Sequence, residues 1–216
     1  FQLGDSQMRK RNIKLTTPAG KAAWPHLNKP DTKFDKDGIY SINLRLSQAD
    51  ASGVVGIIKE TLKESVITAE KENKGKKVKV APLPIKDVQD EEGNPTGEIE
   101  IKFKLRAVGQ SGGDSWEQRP ALFDSSGKPM TETVGSGSTV KVGCEVVPYY
   151  TAMAGAGVTL RLKAVQVLEL IEYTGGGDFD NWSFSKDESG FVSSGVTSDI
   201  SDTSGEEDDH DSGYDF

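Results

Sequence analysis

A single cysteine in 216 residues, Cys144, excludes an internal disulfide and any multi-cysteine zinc site. Two histidines, His26 and His210, leave little for metal binding or acid–base chemistry. No apolar run approaches the roughly 18 residues of a membrane-spanning helix, and none behind Phe1 has the character of a secretory signal. The cell interior is therefore the expected compartment. Hydrophobic residues make up 34% of the chain and mean hydropathy is −0.51, too polar for a chain packed along its whole length. Enzyme motifs are missing as well. There is no Gly-x-Ser-x-Gly elbow and no His-Glu-x-x-His. The segments at Gly135–Ser138 and Gly155–Val158 lack the third glycine and the strand–helix context of a nucleotide loop, and read as flexible loops. No catalytic activity, cofactor or metal is expected.

What is present is charge, unevenly placed. The net charge is −8, yet residues 178–216 hold twelve acids and one base, Lys186. Residues 1–177 therefore carry 25 bases against 22 acids, a mildly basic body with an acidic tail. Beyond Gly175–Gly177 the chain has nine serines and few aliphatics, and it cannot bury enough surface to fold. The expected division is a possible extraneous leader over 1–7, a folded core over 8–174 and a flexible acidic tail over 175–216. Within the tail, Asp208, Asp209, Asp211, Asp215 and Phe216 are candidate docking residues, because a terminal ring and free carboxylate suit a basic-rimmed pocket.

The body reads as mainly β. Ile39–Leu46 alternates, with Tyr40, Ile42, Leu44 and Leu46 on one face. Ser47 and Asp50 have the spacing of a helix cap, and Val54, Val55, Ile58, Leu62, Val66 and Ala69 predict a helix of about 20 residues behind them. The helix dissolves into a lysine-rich loop with Lys74, Lys76, Lys77 and Lys79, either a solvated loop or a phosphate contact. Residues 87–97 read as an acidic turn region. Glu98–Arg106 is the clearest strand, with Ile99, Ile101, Phe103 and Leu105 inward and Glu98, Glu100, Lys102, Lys104 and Arg106 outward. Its three alternate bases form a stripe able to follow phosphates, although a solvated face would give the same alternation. Residues 122–128 end a strand in a glycine turn. Thr139–Val147 is a strand with Cys144 inward, a small core hydrophobe rather than a nucleophile, and Pro148 ends it. The phase of Val158–Leu170 slips near Ala164 and Val165, predicting a bulge. Several strands with one helix fit an OB-fold-like five-stranded barrel better than a parallel α/β sheet.

Rings beside bases form the only constellation with chemical content. Trp24, Trp116, Tyr149 and Tyr150 fall in or beside expected loops, and Lys10, Arg11, Lys14, Lys74, Lys76, Lys102, Lys104, Arg106, Arg161 and Lys163 can supply positive charge. Bases of a single strand stack on rings whatever the sequence, while Lys and Arg neutralise phosphates. The expected DNA-binding set is Lys10, Lys74, Lys76, Lys102, Lys104, Arg106, Tyr149, Tyr150 and Trp24. The leashed polyanion of the tail would compete with DNA for the basic cleft. The alternative is an acidic-tailed chaperone or DNA mimic that binds basic partners.

The stretches 146–150 (VVPYY), 154–158 (AGAGV), 160–170, Gly175–Asp178 and Asp215–Phe216 resemble, in order, the single-stranded DNA-binding proteins of short-tailed lytic bacteriophages. Lys29–Asp31, Gly38–Tyr40, Phe103–Lys104 and Asp124–Lys128 extend the likeness, which is thinnest in the helix and over 78–97. It implies an OB-fold core, no enzymatic activity, and service in phage DNA replication, recombination and repair in the cytoplasm of an infected bacterium. It further implies a homodimer, no membrane association, and a tail that contacts the phage DNA polymerase and helicase–primase. By the same resemblance Lys10, Lys74, Lys104 and Tyr149 correspond to DNA-binding positions and Phe216 to the family's terminal phenylalanine. One departure stands out. A member of the family has, after the position of Tyr149, a basic residue and a tryptophan, where this chain has Tyr150 and Thr151. Either Tyr150 takes over stacking or this surface binds more weakly.

Overall fold

The computed structural model describes residues 12–33 and 35–172. Lys10, Arg11 and the tail calls at Asp208, Asp209, Asp211, Asp215 and Phe216 lie outside the described residues.

The elements run β1 (Ile13–Thr16), β2 (Gly20–Asp31), β3 (Ile39–Ser47), α1 (Gln48–Glu72), β4 (Ile85–Gln89), β5 (Pro95–Arg106), β6 (Val108–Ser111), β7 (Asp114–Glu117), β8 (Ala121–Phe123), β9 (Thr139–Thr151) and β10 (Gly155–Glu169). Five of the strands close on themselves. β2 pairs with β3, β3 with β5, β5 with β10 in parallel, β10 with β9, and β9 returns to β2. That circuit is the five-stranded OB-type barrel. The other described strands are additions: β1 extends the edge beside β9, β4 and β8 flank β5 and β10, and β6–β7 is a separate hairpin.

Strict alternation builds the interior. Ile42, Leu44, Ile101, Phe103, Val140, Val142, Val146, Leu160, Leu162 and Val165 are fully buried, and α1 adds Ala51, Val54 and Ile58 to the same cluster. Each large apolar side chain removed from water contributes roughly 1.5–3 kcal/mol. Cys144 lies within this core, and burial, aided by the charge of Glu145, pushes its thiol up to about 12. It is inert at neutral pH.

The helix is 25 residues, longer than the 20 expected, and begins where the cap predicted. Ser47 Oγ accepts from the Asp50 amide at 3.1 Å and donates to the Asp50 carboxylate at 2.7 Å. Asn73 ends it, with its amide and side chain both donating to the Ala69 carbonyl. No helix among the described residues is long and apolar enough to cross a membrane.

Several expectations need correction. Residues 87–97 are not only a turn: β4 and β5 pair there as a hairpin about residues 90–94. Pro148 does not end its strand. β9 continues to Thr151, because beyond Val146 it is paired only with β10, so the missing proline donor disrupts no second described ladder. The segment at Gly155–Val158 is not a flexible loop. It opens β10 and is buried, and Gly155 adopts φ +91° where a Cβ would collide with the Lys79 carbonyl. β2, with prolines at 25 and 30, was not anticipated at all.

Candidate nucleic-acid interface

The outer face of the barrel is set by the same alternation that fills its interior. Lys102, Lys104 and Arg106 stand at every second residue of β5, opposite Asn43, Ser41 and Ile39 of β3. Following the pairings sideways from Lys104 gives a row across the sheet. Arg161 lies beside Lys104, Glu145 beside Arg161, and Lys14 beside Glu145, while Ser41 and His26 continue the row on the other flank. Adjacent members are about 4.8 Å apart in the hydrogen-bonding direction. The expected bulge falls between Leu162 and Ala164 and makes Lys163 the extra residue of β10, beside the same row.

These side chains border a groove of about 960 Å³ lined by Lys104, Arg106, Arg161, Lys163, Thr159 and Trp116, among others. Trp116 comes from the β6–β7 hairpin, where it sits across from Gly109 and packs over it. A Cβ at Gly109 would strike the indole, so the glycine lets the ring lie flat on the hairpin. Two acids pair with cations that line the groove. Asp35 meets Arg106 at 3.8 Å, and Glu145 meets Arg161 at 3.4 Å and Lys163 at 3.6 Å. Lys102 and Lys104 have no acid within ion-pair distance among the described residues. Burial, with the neighbouring charge of Lys102, holds the Lys104 ammonium below the ordinary lysine value.

The acidic end of β5 behaves differently from the expectation of a solvated face. Glu100 points outward but is only 2% exposed. It accepts from Asn43 at 2.8 Å, Arg45 at 3.0 Å and Lys86 at 2.9 Å. Burial alone would raise its carboxyl, but the bonds from Lys86 and Arg45, the charge of Lys86 and the Asn43 amide outweigh that and hold it below the usual carboxylate value. Arg45 and Lys86 are thereby committed to a protein carboxylate.

The remaining sequence candidates divide by place. Tyr149 and Tyr150 are inside β9 rather than in a loop, so they point to opposite faces. Tyr149 lies against Gly157, its cross-strand partner, two residues from Thr159 and four from Arg161 on β10. Tyr150 is on the other face, although both tyrosines and Pro148 border a small cleft with Ser65, Thr68, Ala69 and Glu72 of α1. Lys74 and Lys76 lie in the exposed loop after α1. That loop reaches the start of β10, where the Ala156 amide donates to the Lys79 carbonyl at 2.8 Å. Trp24 is likewise in a strand, at the irregularity where β2 shifts register between Ala23 and His26. It is 69% exposed with φ +50°, and it borders a second cleft, formed with residues 25–29 and 133–136, that shares no lining residue with the basic groove.

The structure thus joins Lys104 and Arg106 to Arg161, Lys163 and Trp116, with Lys102 and Tyr149 farther along the same face. Glu100 and Glu145 went unnoticed as partners, since acids that answer cations across strands have no signature within one segment.

Fold and groove define a class: an OB-type barrel with a cationic, ring-bearing outer face, an architecture that serves oligonucleotide recognition. The family model described as single-stranded DNA-binding protein of bacteriophage T7 matches residues 19–170. The chain belongs to that family. It is 29% identical over 209 residues to the single-stranded DNA-binding protein of Enterobacteria phage T3, covering 87% of this chain and 88% of that one. To the single-stranded DNA-binding protein of Escherichia phage T7 it is 31% identical over 170 residues, 73% of this chain and 72% of that one. The crystal structure of gp2.5, a single-stranded DNA-binding protein encoded by bacteriophage T7, superposes with a TM-score of 0.65 at 27% identity, covering 85% of this chain and all of that one. A likeness in fold extends to the single-stranded DNA-binding protein of bacteriophage Enc34 in complex with single-stranded DNA, with a TM-score of 0.54 at 20% identity over 75% of this chain and 89% of that one.

Proposed function

We propose that this chain binds single-stranded DNA without sequence preference and does no chemistry on it, acting in phage DNA replication, recombination and repair. The observation that carries the proposal is the row Lys14–Glu145–Arg161–Lys104 crossing the outer face, with Lys104 partly desolvated and without an acid partner among the described residues, beside a groove that holds Trp116. Cations in such a row neutralise phosphates and release counterions, and the rings stack bases. Lys10, Lys74, Lys76, Lys102, Lys104, Arg106, Tyr149 and Trp24 are assigned to DNA, with Arg161, Lys163 and Trp116 added. Tyr150, on the opposite face, is assigned to the helix side.

The rest of the assignment rests on family membership and charge. Residues 8–174 form the DNA-binding core and 175–216 an acidic tail that competes for the groove and, once displaced, recruits the phage DNA polymerase and helicase–primase through Asp208, Asp209, Asp211, Asp215 and Phe216. The protein acts as a homodimer in the cytoplasm of the infected host. The rival reading, an acidic-tailed chaperone or DNA mimic, has no support among the relatives above, which are described as single-stranded DNA-binding proteins.

Titration with oligo-dT at two salt concentrations tests the proposal. Tryptophan fluorescence should quench, and the affinity should fall steeply with salt. No quenching at low salt, together with capture of basic proteins, would overturn it.

A further inference from the structure

Within the cross-strand row of cations one position carries an acid. Glu145 lies between Lys14 of β1 and Arg161 of β10, its side chain only 18% exposed. Among the described residues, its polar partners all meet one carboxylate oxygen, Oε2: Arg161 at 3.4 Å, Lys163 at 3.6 Å and the Asn12 amide at 3.4 Å. Nothing in the core requires a charge there, because Glu145 is on the outward phase between the buried Cys144 and Val146. Two half-exposed cations converging on one oxygen, with an amide donor beside them, is the donor set that a phosphate oxygen of a nucleic-acid backbone would receive.

We infer that Glu145 is a resident anion occupying a phosphate position in the groove, and that bound DNA takes Arg161 and Lys163 from it. This rests on the groove being the DNA site. In the free protein the carboxylate keeps both cations in place and reduces their mutual repulsion. On binding, a DNA phosphate competes with it for the same donors. Glu145 therefore lowers affinity and lessens its salt dependence, because two of the groove's cations are already neutralised. It acts through Arg161 and Lys163, without touching a base, and so tunes strength rather than sequence.

The test compares Glu145→Gln with the unaltered full-length chain in oligo-dT titrations from 50 to 200 mM salt. The amide keeps the length and can still accept from Asn12. Each cation freed for a phosphate steepens the salt slope by about 0.7. Over that fourfold salt range the advantage of the variant should shrink by about 2.6-fold for one freed cation and about sevenfold for two. Tighter binding at 50 mM with a steeper slope is the expected result. An unchanged or shallower slope, or weaker binding, overturns the inference. Glu145→Thr, suited to a strand, carries the same comparison if the amide variant does not melt cooperatively. Lys104→Met is run alongside. Should it bind as the unaltered chain does, the groove assignment itself fails. Should it weaken binding while Glu145→Gln leaves the slope alone, only the role of Glu145 falls.

Discussion

Replacing Lys104 with methionine removes one charge and keeps most of the apolar stem. Lys104 has Arg161 beside it on β10, Lys102 two residues back on β5, and no acid within ion-pair distance among the described residues. Two residues along a strand are about 6.6 Å apart. Unit charges at that distance in water repel by about 0.6 kcal/mol before salt screens them. The substitution should therefore leave folding stability unchanged or raise it by a few tenths of a kcal/mol. A charge-assisted hydrogen bond to phosphate is worth about 1.5–3 kcal/mol, so affinity for oligo-dT should drop roughly 10- to 100-fold at low salt. The salt slope should lessen by about 0.7. The linkage to pH has a definite sign. The folded pKa of Lys104 is below the ordinary 10.5, so its charged form weakens the fold, fully so below the depressed value, and the penalty disappears as pH rises through 10.5. Bound phosphate favours the charged form, so DNA binding takes up a proton in that alkaline window. The unaltered chain should lose affinity there and the methionine variant should lose less. Fluorescence titrations at 50 and 200 mM salt and at neutral and alkaline pH, with thermal melts on both chains, provide the readout. Wild-type affinity and slope in the variant, or a stability loss above about 2 kcal/mol, would refute a phosphate-binding role.

Tyr149→Ala should weaken oligo-dT binding by about 1–3 kcal/mol through lost stacking, whereas Tyr150→Ala, altering the opposite face, should leave affinity nearly unchanged; equal losses would show that strand alternation does not sort the pair. Glu100→Gln should cost about 1–3 kcal/mol in urea unfolding, since a nearly buried acceptor of three donors loses its charge. Because the folded pKa of Glu100 is held below 4.5, its contribution is present above that pH and is lost as pH falls through the depressed value. Acid titration of stability should show that loss in the unaltered chain and not in the variant. Gly155→Ala meets both a left-handed φ of +91° and the Lys79 carbonyl, so it should lower the melting temperature and disturb the lysine-rich loop; an unchanged melt would mean that the loop moves aside freely.

Local periodicity made much of this molecule legible. On β3 and β9 the inward sets named from alternation are the buried residues, on β5 Ile101, Phe103 and Leu105 are buried while Ile99 is only partly so and the outward Glu100 is buried, and the Ser47 cap sits at the first residue before α1. The bulge in β10 was readable because a one-residue slip reverses every later side chain. β2 was not readable. Its prolines at 25 and 30 and the break about Trp24 disrupt the period, and tertiary pairing to β3 and β9 overrides them. Pro148 misled for a related reason, since whether a proline ends a strand depends on a neighbour that no local window contains. The site was half legible. Alternation on β5 gave Lys102, Lys104 and Arg106, but Arg161 and Glu145 join them through pairings between segments far apart in the chain, and Trp116 through the hairpin that follows β5.

Those pairings also bear on the direction in which a bound strand would run. A stripe of bases along β5 suggests a backbone laid parallel to that strand. Toward its start, however, β5 carries Glu98 and Glu100, and the two cations nearest Glu100, Arg45 and Lys86, are held on its carboxylate. A phosphate arriving there meets acids whose counter-charges are already engaged. Across the strands the situation is reversed. From Lys104 the row passes to Arg161 and on to Lys14, with Lys163 beside it, and its single acid, Glu145, shares one oxygen between two cations. With Trp116 in the groove and Tyr149 farther along the β9–β10 face, the rings too are spread across strands rather than along one. On the proposed function, DNA therefore crosses the barrel strands and leaves β5 after Lys102. Charge reversal at Lys14 should then weaken binding nearly as much as at Lys104, while reversal at Lys86 should act on stability through Glu100 and leave the salt slope of binding unchanged.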